Sequence, residues 1–180
     1  MKPFTIHDLN TVPDASKATL EGVNKQFGMI PNLLGVLAEA PGILNSYLDL
    51  HQQFINSSFN AEELTVVWQT INVEHECTYC VPAHTGIANA MKVDPKLTEA
   101  LRNKQPMPTA KLQVLHDTTL LMVRNRGHLS EMQMERFFEA GFSHQQMLEI
   151  VLGLSQKVIS NYVNHLAKTP VDDVYKKFAW

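Results

Sequence analysis

Apolar side chains recur at helical spacing along most of the chain, whereas the alternation typical of strands is scarce. The segment Gly42–Ser57, for example, carries Leu44, Tyr47, Leu48 and Ile55 on one face of a helix. Capping residues and glycine stops delimit further helices. The predicted helices are Ala15–Phe27, Gly42–Ser57, Ala61–Glu74, Thr78–Met91, one opening at Asp94-Pro95, Thr109–Arg126, Ser130–Ala140 and Ser143–Ala167. The pattern predicts an all-α fold of roughly seven or eight helices.

Pro82 decides how the central region is divided. A proline is tolerated in the first turn of a helix but costs about 3 kcal/mol in a helix interior. An unbroken helix from Ala61 to Met91 would place Pro82 in the helix interior. We therefore expect a break near Cys77–Val81.

Length and composition favour a single globular domain spanning residues 1–180. Hydrophobic residues make up 44% of the chain and charged residues 18%, an ordinary globular mixture. No apolar run approaches the ~18 residues of a membrane span, and the polar start lacks a signal-peptide core. A net charge of -3 without a basic patch argues against nucleic acid. Two cysteines and no signal favour the reducing cytoplasm.

Both cysteines belong to one motif, Cys77-Thr78-Tyr79-Cys80, with His84 four residues further on. At a helix start this spacing brings two sulfurs within reach of a disulfide, and the helix dipole favours a thiolate. His84 would lie one turn below Cys80 on the same face, where it could move a proton. Glu74 and Glu76 are the nearby carboxylates that could orient its imidazole.

Other interpretations of the motif stay open at this point. A zinc site would need four ligands, and only His84 and His75 are close enough to join the cysteine pair. Two inert buried cysteines are the plainest alternative. His51, on the apolar face of its helix, is expected to be a core histidine or to line a pocket.

The segment Glu76–His84 resembles the signature of the carboxymuconolactone decarboxylase family, in its alkylhydroperoxidase D-like branch. The lead-in Phe59–Val67 and the stretches Phe27–Leu33, Ser160–Ala167 and Phe178–Trp180 resemble its longer, peroxidase-related members. The resemblance implies an all-α, AhpD-like fold that forms trimers or hexamers. It also implies a thiol peroxidase cycle that uses no cofactor and no metal.

In that cycle Cys80 would attack the peroxide and Cys77 would resolve the product as a disulfide. His84 would belong to a proton relay with a glutamate on the preceding helix. A thioredoxin-like or lipoylated protein would then reduce the disulfide.

The sequence departs from the family pattern at two positions. The usual glutamate lies twelve residues before the first cysteine, and that position is Thr65 here. We therefore expect Glu74 to take over the support of His84. Tyr79 stands where the peroxidase branch can carry a histidine, and a phenol that titrates near pH ~10 is a poorer base.

These observations predict a cytoplasmic, homo-oligomeric enzyme that reduces hydrogen peroxide or small organic hydroperoxides. Its site residues would be Cys80, Cys77, His84 and Glu74. Protein disulfide exchange with the same pair is the first alternative, and a redox-sensing disulfide is the second. Lactone decarboxylation, which would survive loss of both cysteines, is the third.

Overall fold

The computed structural model describes residues 3–180, and this part of the chain contains helices and no strands. The α-helices are α1 Asp14–Phe27, α2 Asn32–Leu37, α3 Pro41–Ile55, α4 Ala61–Glu74, α5 Cys80–Ala90, α6 Pro95–Arg102, α7 Ala110–Arg124, α8 Glu131–Glu139 and α9 His144–Ala167. A 3₁₀ helix follows at Asp173–Phe178. Eight of these helices have at least seven residues, which confirms the predicted all-α class and helix number. Within the described residues, none of the helices combines the length and apolar character needed to cross a bilayer.

The helix boundaries follow the capping residues closely. Asn60, Ser130 and Ser143 each accept the backbone N–H three residues on, and each forms a reciprocal capping box. The helix expected from Thr78 begins at Cys80 instead, because Thr78 and Tyr79 form a turn. Pro82 consequently lies in the first turn of α5. Backbone N–H groups there have no acceptor within the helix, so the missing N–H of proline breaks no helical hydrogen bond.

The core has two parts. One part packs α4 against α6, α7 and α9, with α8 packed on α7, around the buried rings of Phe54, Trp68 and Phe137. The other part joins the N-terminal helices α1–α3 to the segment that carries Cys77 and Cys80. The cysteine motif therefore lies inside the apolar core and not in a surface loop.

One face of helix α9 buries mostly polar side chains, and several apolar side chains of the helix are exposed. Its buried residues are Ile150, Gly153, Gln156, Lys157, Ser160, Asn161 and Asn164, which recur at helical spacing. Leu148 and Leu166, in contrast, are each 70% exposed. At Gly153 an added Cβ would lie 2.8 Å from the Phe54 ring, so this glycine lets α3 and α9 approach closely. The polar face of α9 therefore supplies one wall of the second core region.

The C-terminal segment fixes α5 from the outside. The Tyr175 ring packs so closely on Gly86 that an added Cβ would lie 2.6 Å from it. Arg102 donates to the Phe178 and Ala179 carbonyls at 2.9 and 2.8 Å. The segment therefore holds the helix that begins with Cys80 against the rest of the fold.

Candidate active site

The site begins at a sharp stop between α4 and α5. Glu76 adopts a left-handed conformation, with φ of 52°, directly after the end of α4. The N–H of Cys77 donates to the Asn72 carbonyl and that of Glu76 donates to the Val73 carbonyl. This is the hydrogen-bond pattern of a Schellman motif, which ends a helix and turns the chain. It directs Cys77 into the core while Glu76 stays at the surface.

Both thiols are reduced and almost completely buried, with Cys77 0% and Cys80 2% exposed. The backbone N–H of Cys80 donates to the Cys77 sulfur over 3.3 Å. The Asn164 side-chain amide donates to the Cys80 sulfur over 3.2 Å. Of the two cysteines, only Cys80 lines the cavity described below. Cys80 is therefore the sulfur that a small molecule reaches, and Cys77 lies behind it.

The surroundings favour a thiolate on Cys80. Burial by itself raises the pKa of this thiol. The hydrogen bond from Cys77, the positive charge of Lys157 and the amides of Asn164 and Asn161 outweigh burial and lower the pKa to about 5. The same thiol–thiol hydrogen bond, together with burial, raises the pKa of Cys77 far above its usual range. These surroundings therefore favour ionisation of Cys80 before Cys77, which keeps its proton.

A lysine is the partner of the motif histidine. The Lys157 ammonium group is 0% exposed and lies 2.9 Å from Nε2 of His84. Burial lowers the pKa of Lys157, while the nearby cysteines act in the opposite direction. Burial and the Lys157 charge hold the pKa of His84 well below its usual range. His84 is therefore neutral and accepts from Lys157 through Nε2, while its buried Nδ1 has no hydrogen-bond partner.

Buried amides fix α4, α5 and α9 relative to one another. Gln69 donates to the Val81 carbonyl and to the Thr85 hydroxyl, both at 3.1 Å. Asn72 donates to Gln69, and Asn161 of α9 donates to Asn72, each at 3.0 Å. Because each donor is matched with an acceptor, the chain of bonds keeps the first turn of α5 in place.

An apolar cavity of about 360 Å³ lies beside Cys80, which forms part of its wall. Its walls come from α2, α3, α5, α9 and the C-terminal segment, and its polar groups are few. The lining residues are Phe27, Met29, Pro31, Leu33, Leu34, Tyr47, Leu48, His51, Ile55, Tyr79, Cys80, Ala83, His84, Ile87, Lys157 and Tyr175. No Asp or Glu lines it among the residues that the structure describes. The cavity has the size and apolar lining of a small-molecule site.

The structure places Cys77, Cys80 and His84 together but gives Glu74 another partner. Both Glu74 carboxylate oxygens accept from the Arg124 guanidinium, at 2.7 and 2.9 Å. This ion pair holds the pKa of Glu74 below its usual range. The expected support of His84 by Glu74 is therefore absent from this geometry, because Arg124 of α7 binds the carboxylate.

Thr65 and Tyr79, the two positions that depart from the family pattern, both make hydrogen bonds that stabilise nearby structure. The Thr65 hydroxyl donates to the Ala61 carbonyl within its own helix at 2.8 Å. The Tyr79 hydroxyl donates to the Asp172 carboxylate at 2.5 Å and accepts from the Leu33 N–H at 3.3 Å. Burial, followed by the charge of Asp172, raises the pKa of Tyr79, so this phenol is not a base.

The other histidines near the motif also have defined positions. Nδ1 of His75 donates to the Asn161 side-chain oxygen over 2.9 Å and does not bond to the cysteine pair. Across residues 3–180, no group of three or more His, Cys, Asp or Glu side chains could hold a metal ion. His51 lines the cavity and stacks on Trp68, with ring centroids 5.5 Å apart. Burial and the Lys157 charge lower its pKa to about 4, so it is neutral at pH 7.

Lys157 is the site residue that sequence reasoning missed. A lone lysine in a long helix is ordinarily solvated. The signal was present in the spacing of Gly153, Gln156, Lys157, Ser160, Asn161 and Asn164, which places small and polar residues on one face of the helix. Because the opposite face is apolar, such a helix would ordinarily be expected to bury that face instead.

Comparison with known proteins identifies the fold. No protein-family model matches the sequence, and a search of curated proteins finds no match either. Among solved structures, the chain is similar to the alkylhydroperoxidase AhpD core protein of Ralstonia eutropha JMP134, an uncharacterised peroxidase-related protein. The TM-score is 0.80, with 18% identity over 97% of this chain and 96% of the other.

Two further structures share this architecture. An uncharacterised peroxidase-related protein from Silicibacter sp. TM1040 has a TM-score of 0.80 and 23% identity, over 97% of this chain and 96% of the other. The debrominase Bmp8, as a cysteine-to-alanine variant in complex with 2,3,4-tribromopyrrole, has a TM-score of 0.75 and 13% identity, over 98% of this chain and 95% of the other. The chain therefore has the AhpD-like fold, which confirms the fold that the motif resemblance implied.

The ionisation of Cys80 gives a direct test of the site. We expect iodoacetamide to label Cys80 with a rate that is half-maximal near pH 5, because the thiolate is the reactive form and protonates as the pH falls through its pKa. Quenched labelling followed by peptide mass spectrometry measures this. In Cys80→Ser, the remaining Cys77 should label only slowly at pH 7. A midpoint near the ~8.5 of an ordinary thiol would contradict the assignment.

Proposed function

We propose that the protein is a thiol peroxidase that reduces small organic hydroperoxides. The observation that carries the proposal is the position of Cys80, which lines an apolar cavity and has a second thiol directly behind it. The AhpD-like fold, shared with peroxidase-related proteins, supports the same conclusion.

In the first step the Cys80 thiolate attacks the distal oxygen of the hydroperoxide. A sulfur–oxygen bond forms, the oxygen–oxygen bond breaks, and sulfur is oxidised by two electrons to a sulfenic acid. The leaving alkoxide takes a proton and departs as the alcohol. His84 lines the cavity one turn from Cys80. It and its hydrogen-bond partner Lys157 form the group that supplies this proton.

In the second step Cys77 resolves the sulfenic acid. Its sulfur attacks the Cys80 sulfur, a disulfide forms, and the hydroxyl group leaves with the Cys77 proton as water. The raised pKa of Cys77 suits this order, because that thiol keeps its proton until Cys80 has been oxidised. Glu74 has no part in this proposal because its carboxylate is paired with Arg124.

A dithiol reductant must then supply two electrons to close the cycle. Since both sulfurs are buried, a slender dithiol arm such as lipoamide reaches Cys80 through the cavity more easily than the surface pair of a thioredoxin-like protein. We expect this cycle in a reducing compartment such as the cytoplasm, where dithiol reductants keep protein thiols reduced. Self-association into the expected homo-oligomer belongs to the same proposal, and the exposed Leu148, Tyr162 and Leu166 of α9 support it.

Reductive dehalogenation is a second candidate function. The lining of the cavity is rich in rings, including those of Phe27, Tyr47 and Tyr175, and suits a halogenated aromatic molecule. The cysteine pair can supply the two electrons that replace a carbon–bromine bond by carbon–hydrogen, with the disulfide and bromide as the other products. The fold of a debrominase supports this candidate.

Rapid mixing of the pre-reduced protein with cumene hydroperoxide tests the main proposal. One equivalent should convert the protein to a form lighter by two hydrogens, because each turnover forms one disulfide. Cys80→Ser should abolish the reaction, and Cys77→Ser should stop at a sulfenic acid that a dimedone probe traps. Stopped-flow and intact-mass measurements give both results. Thiols that stay reduced in excess peroxide would overturn the proposal and favour protein disulfide exchange or redox sensing.

The shape of the cavity predicts a preference among peroxides. Leu48→Trp narrows the cavity, so we expect the rate with cumene hydroperoxide to fall about tenfold or more while the rate with hydrogen peroxide changes little. Met132→Trp, at a position of α8 that is 78% exposed, is the matched control and should change neither rate. Equal losses for both peroxides in Leu48→Trp would argue that the cavity does not bind the organic group.

Bromide release tests the second candidate. The reduced protein should release one bromide per disulfide formed from 2,3,4-tribromopyrrole if it is a dehalogenase, and Cys80→Ser should release none. Ion chromatography measures the bromide, and intact mass measures the disulfide. Peroxide turnover without bromide release would exclude dehalogenation and leave the peroxidase proposal intact.

A further inference from the structure

The buried ammonium of Lys157 has a function that the motif by itself does not suggest. We infer that Lys157 is the acid–base residue of the proposed reaction: it holds the Cys80 thiolate as its counter-ion and gives its proton to the leaving alkoxide. This inference rests on the proposed function. It moves the proton relay from a carboxylate–histidine pair to a lysine–histidine pair.

The geometry places Lys157 where the proton is needed. Lys157, Cys80 and His84 line the same cavity, and the lysine approaches from α9 while the other two belong to α5. His84 accepts a hydrogen bond from the Lys157 ammonium group at 2.9 Å. This bond uses one of the three N–H donors of the ammonium group. Within residues 3–180 the ammonium group makes no other hydrogen bond, so two of its donors remain for an oxygen bound beside Cys80. His84 is thus a positioning residue for the ammonium.

Charge balance explains why the proton leaves Lys157 during the reaction. A fully buried ammonium is stable only beside a compensating charge. The titratable groups around it are Cys77, Cys80, His84, His51 and Tyr47, and the Cys80 thiolate is the anion among them. Once oxygen transfer removes that negative charge, burial favours the neutral amine.

The proton count closes over one cycle. The leaving alkoxide takes one proton from Lys157, and the sulfenic acid and the amine are both neutral. Disulfide formation releases water without a further net proton. The reducing dithiol then returns two electrons and two protons: one goes to Cys77 and the other to Lys157, which again faces a thiolate on Cys80. The site stays electrically neutral at each stage.

Substitutions of Lys157 distinguish its role as counter-ion of the Cys80 thiolate from its role as proton donor. Lys157→Met removes the charge at similar length, and its thermal unfolding and circular dichroism verify the fold. We expect the thiolate absorbance at 240 nm to titrate near the ~8.5 of an ordinary thiol in this variant. Lys157→Arg keeps the charge but cannot release a proton, so its thiolate should stay ionised at pH 7.

Peroxides with different leaving groups test the proton transfer. At pH 7, with each rate divided by the ionised fraction of Cys80 in that protein, Lys157→Met should reduce tert-butyl hydroperoxide about 10²-fold more slowly than the wild type, the usual loss for a general acid. Peracetic acid, which leaves as a carboxylate and needs no proton, should react at nearly the wild-type rate. Lys17→Met, on the exposed face of α1, is the control and should change neither rate. Equal losses for both peroxides would overturn the role of Lys157 as the acid.

A measurement without peroxide distinguishes this inference from the proposed function. The ¹³Cε shift of Lys157 should report an ammonium in the reduced protein and an amine after diamide forms the disulfide. If the wild type does not react with peroxide but Lys157 changes charge, the peroxidase proposal fails and the Cys80–Lys157 pair stands. If peroxide reacts and Lys157 stays charged in the disulfide form, the inference fails and the peroxidase proposal stands.

Discussion

A positive charge without access to water is the constraint on which the site depends. Lys157 is 0% exposed, and its ammonium can be kept there only by groups that replace its hydration. His84 supplies an acceptor and Cys80 supplies the opposing charge. This requirement explains why α9 turns its polar face inward, and why Asn161 and Asn164, on that face, are buried beside the sulfur.

The need to compensate the Lys157 charge also determines which molecules the cavity can accept. An ionised thiol paired with an ammonium is neutral as a unit, and the histidines beside it are uncharged at pH 7. A neutral, apolar molecule therefore enters the cavity without meeting a net charge. The low dielectric of this environment strengthens the attraction between thiolate and ammonium, while the hydrogen-bonded amides hold both helices in place.

The helical scaffold and the cysteine turn were predictable from local sequence. Asn60, Ser130 and Ser143 cap the helices that follow them, and Pro82 excludes a continuous helix through the motif. The Cys77–Cys80 spacing and His84 on the next turn place the reactive groups in one short segment. The left-handed end of α4 at Glu76 was harder to predict, because glycine is the usual residue at such a position and this chain has glutamate there.

The sequence by itself therefore determined the helices, their ends and the segment that carries the thiols, since capping, periodicity and proline geometry act within a few residues. The tertiary structure decided which side chains meet that segment. Lys157 reaches His84 across 73 positions of the chain, and Arg124 reaches Glu74 across 50. No local pattern encodes such pairings, because they arise from how α4, α5, α7 and α9 pack and from the need of each buried charge for a partner.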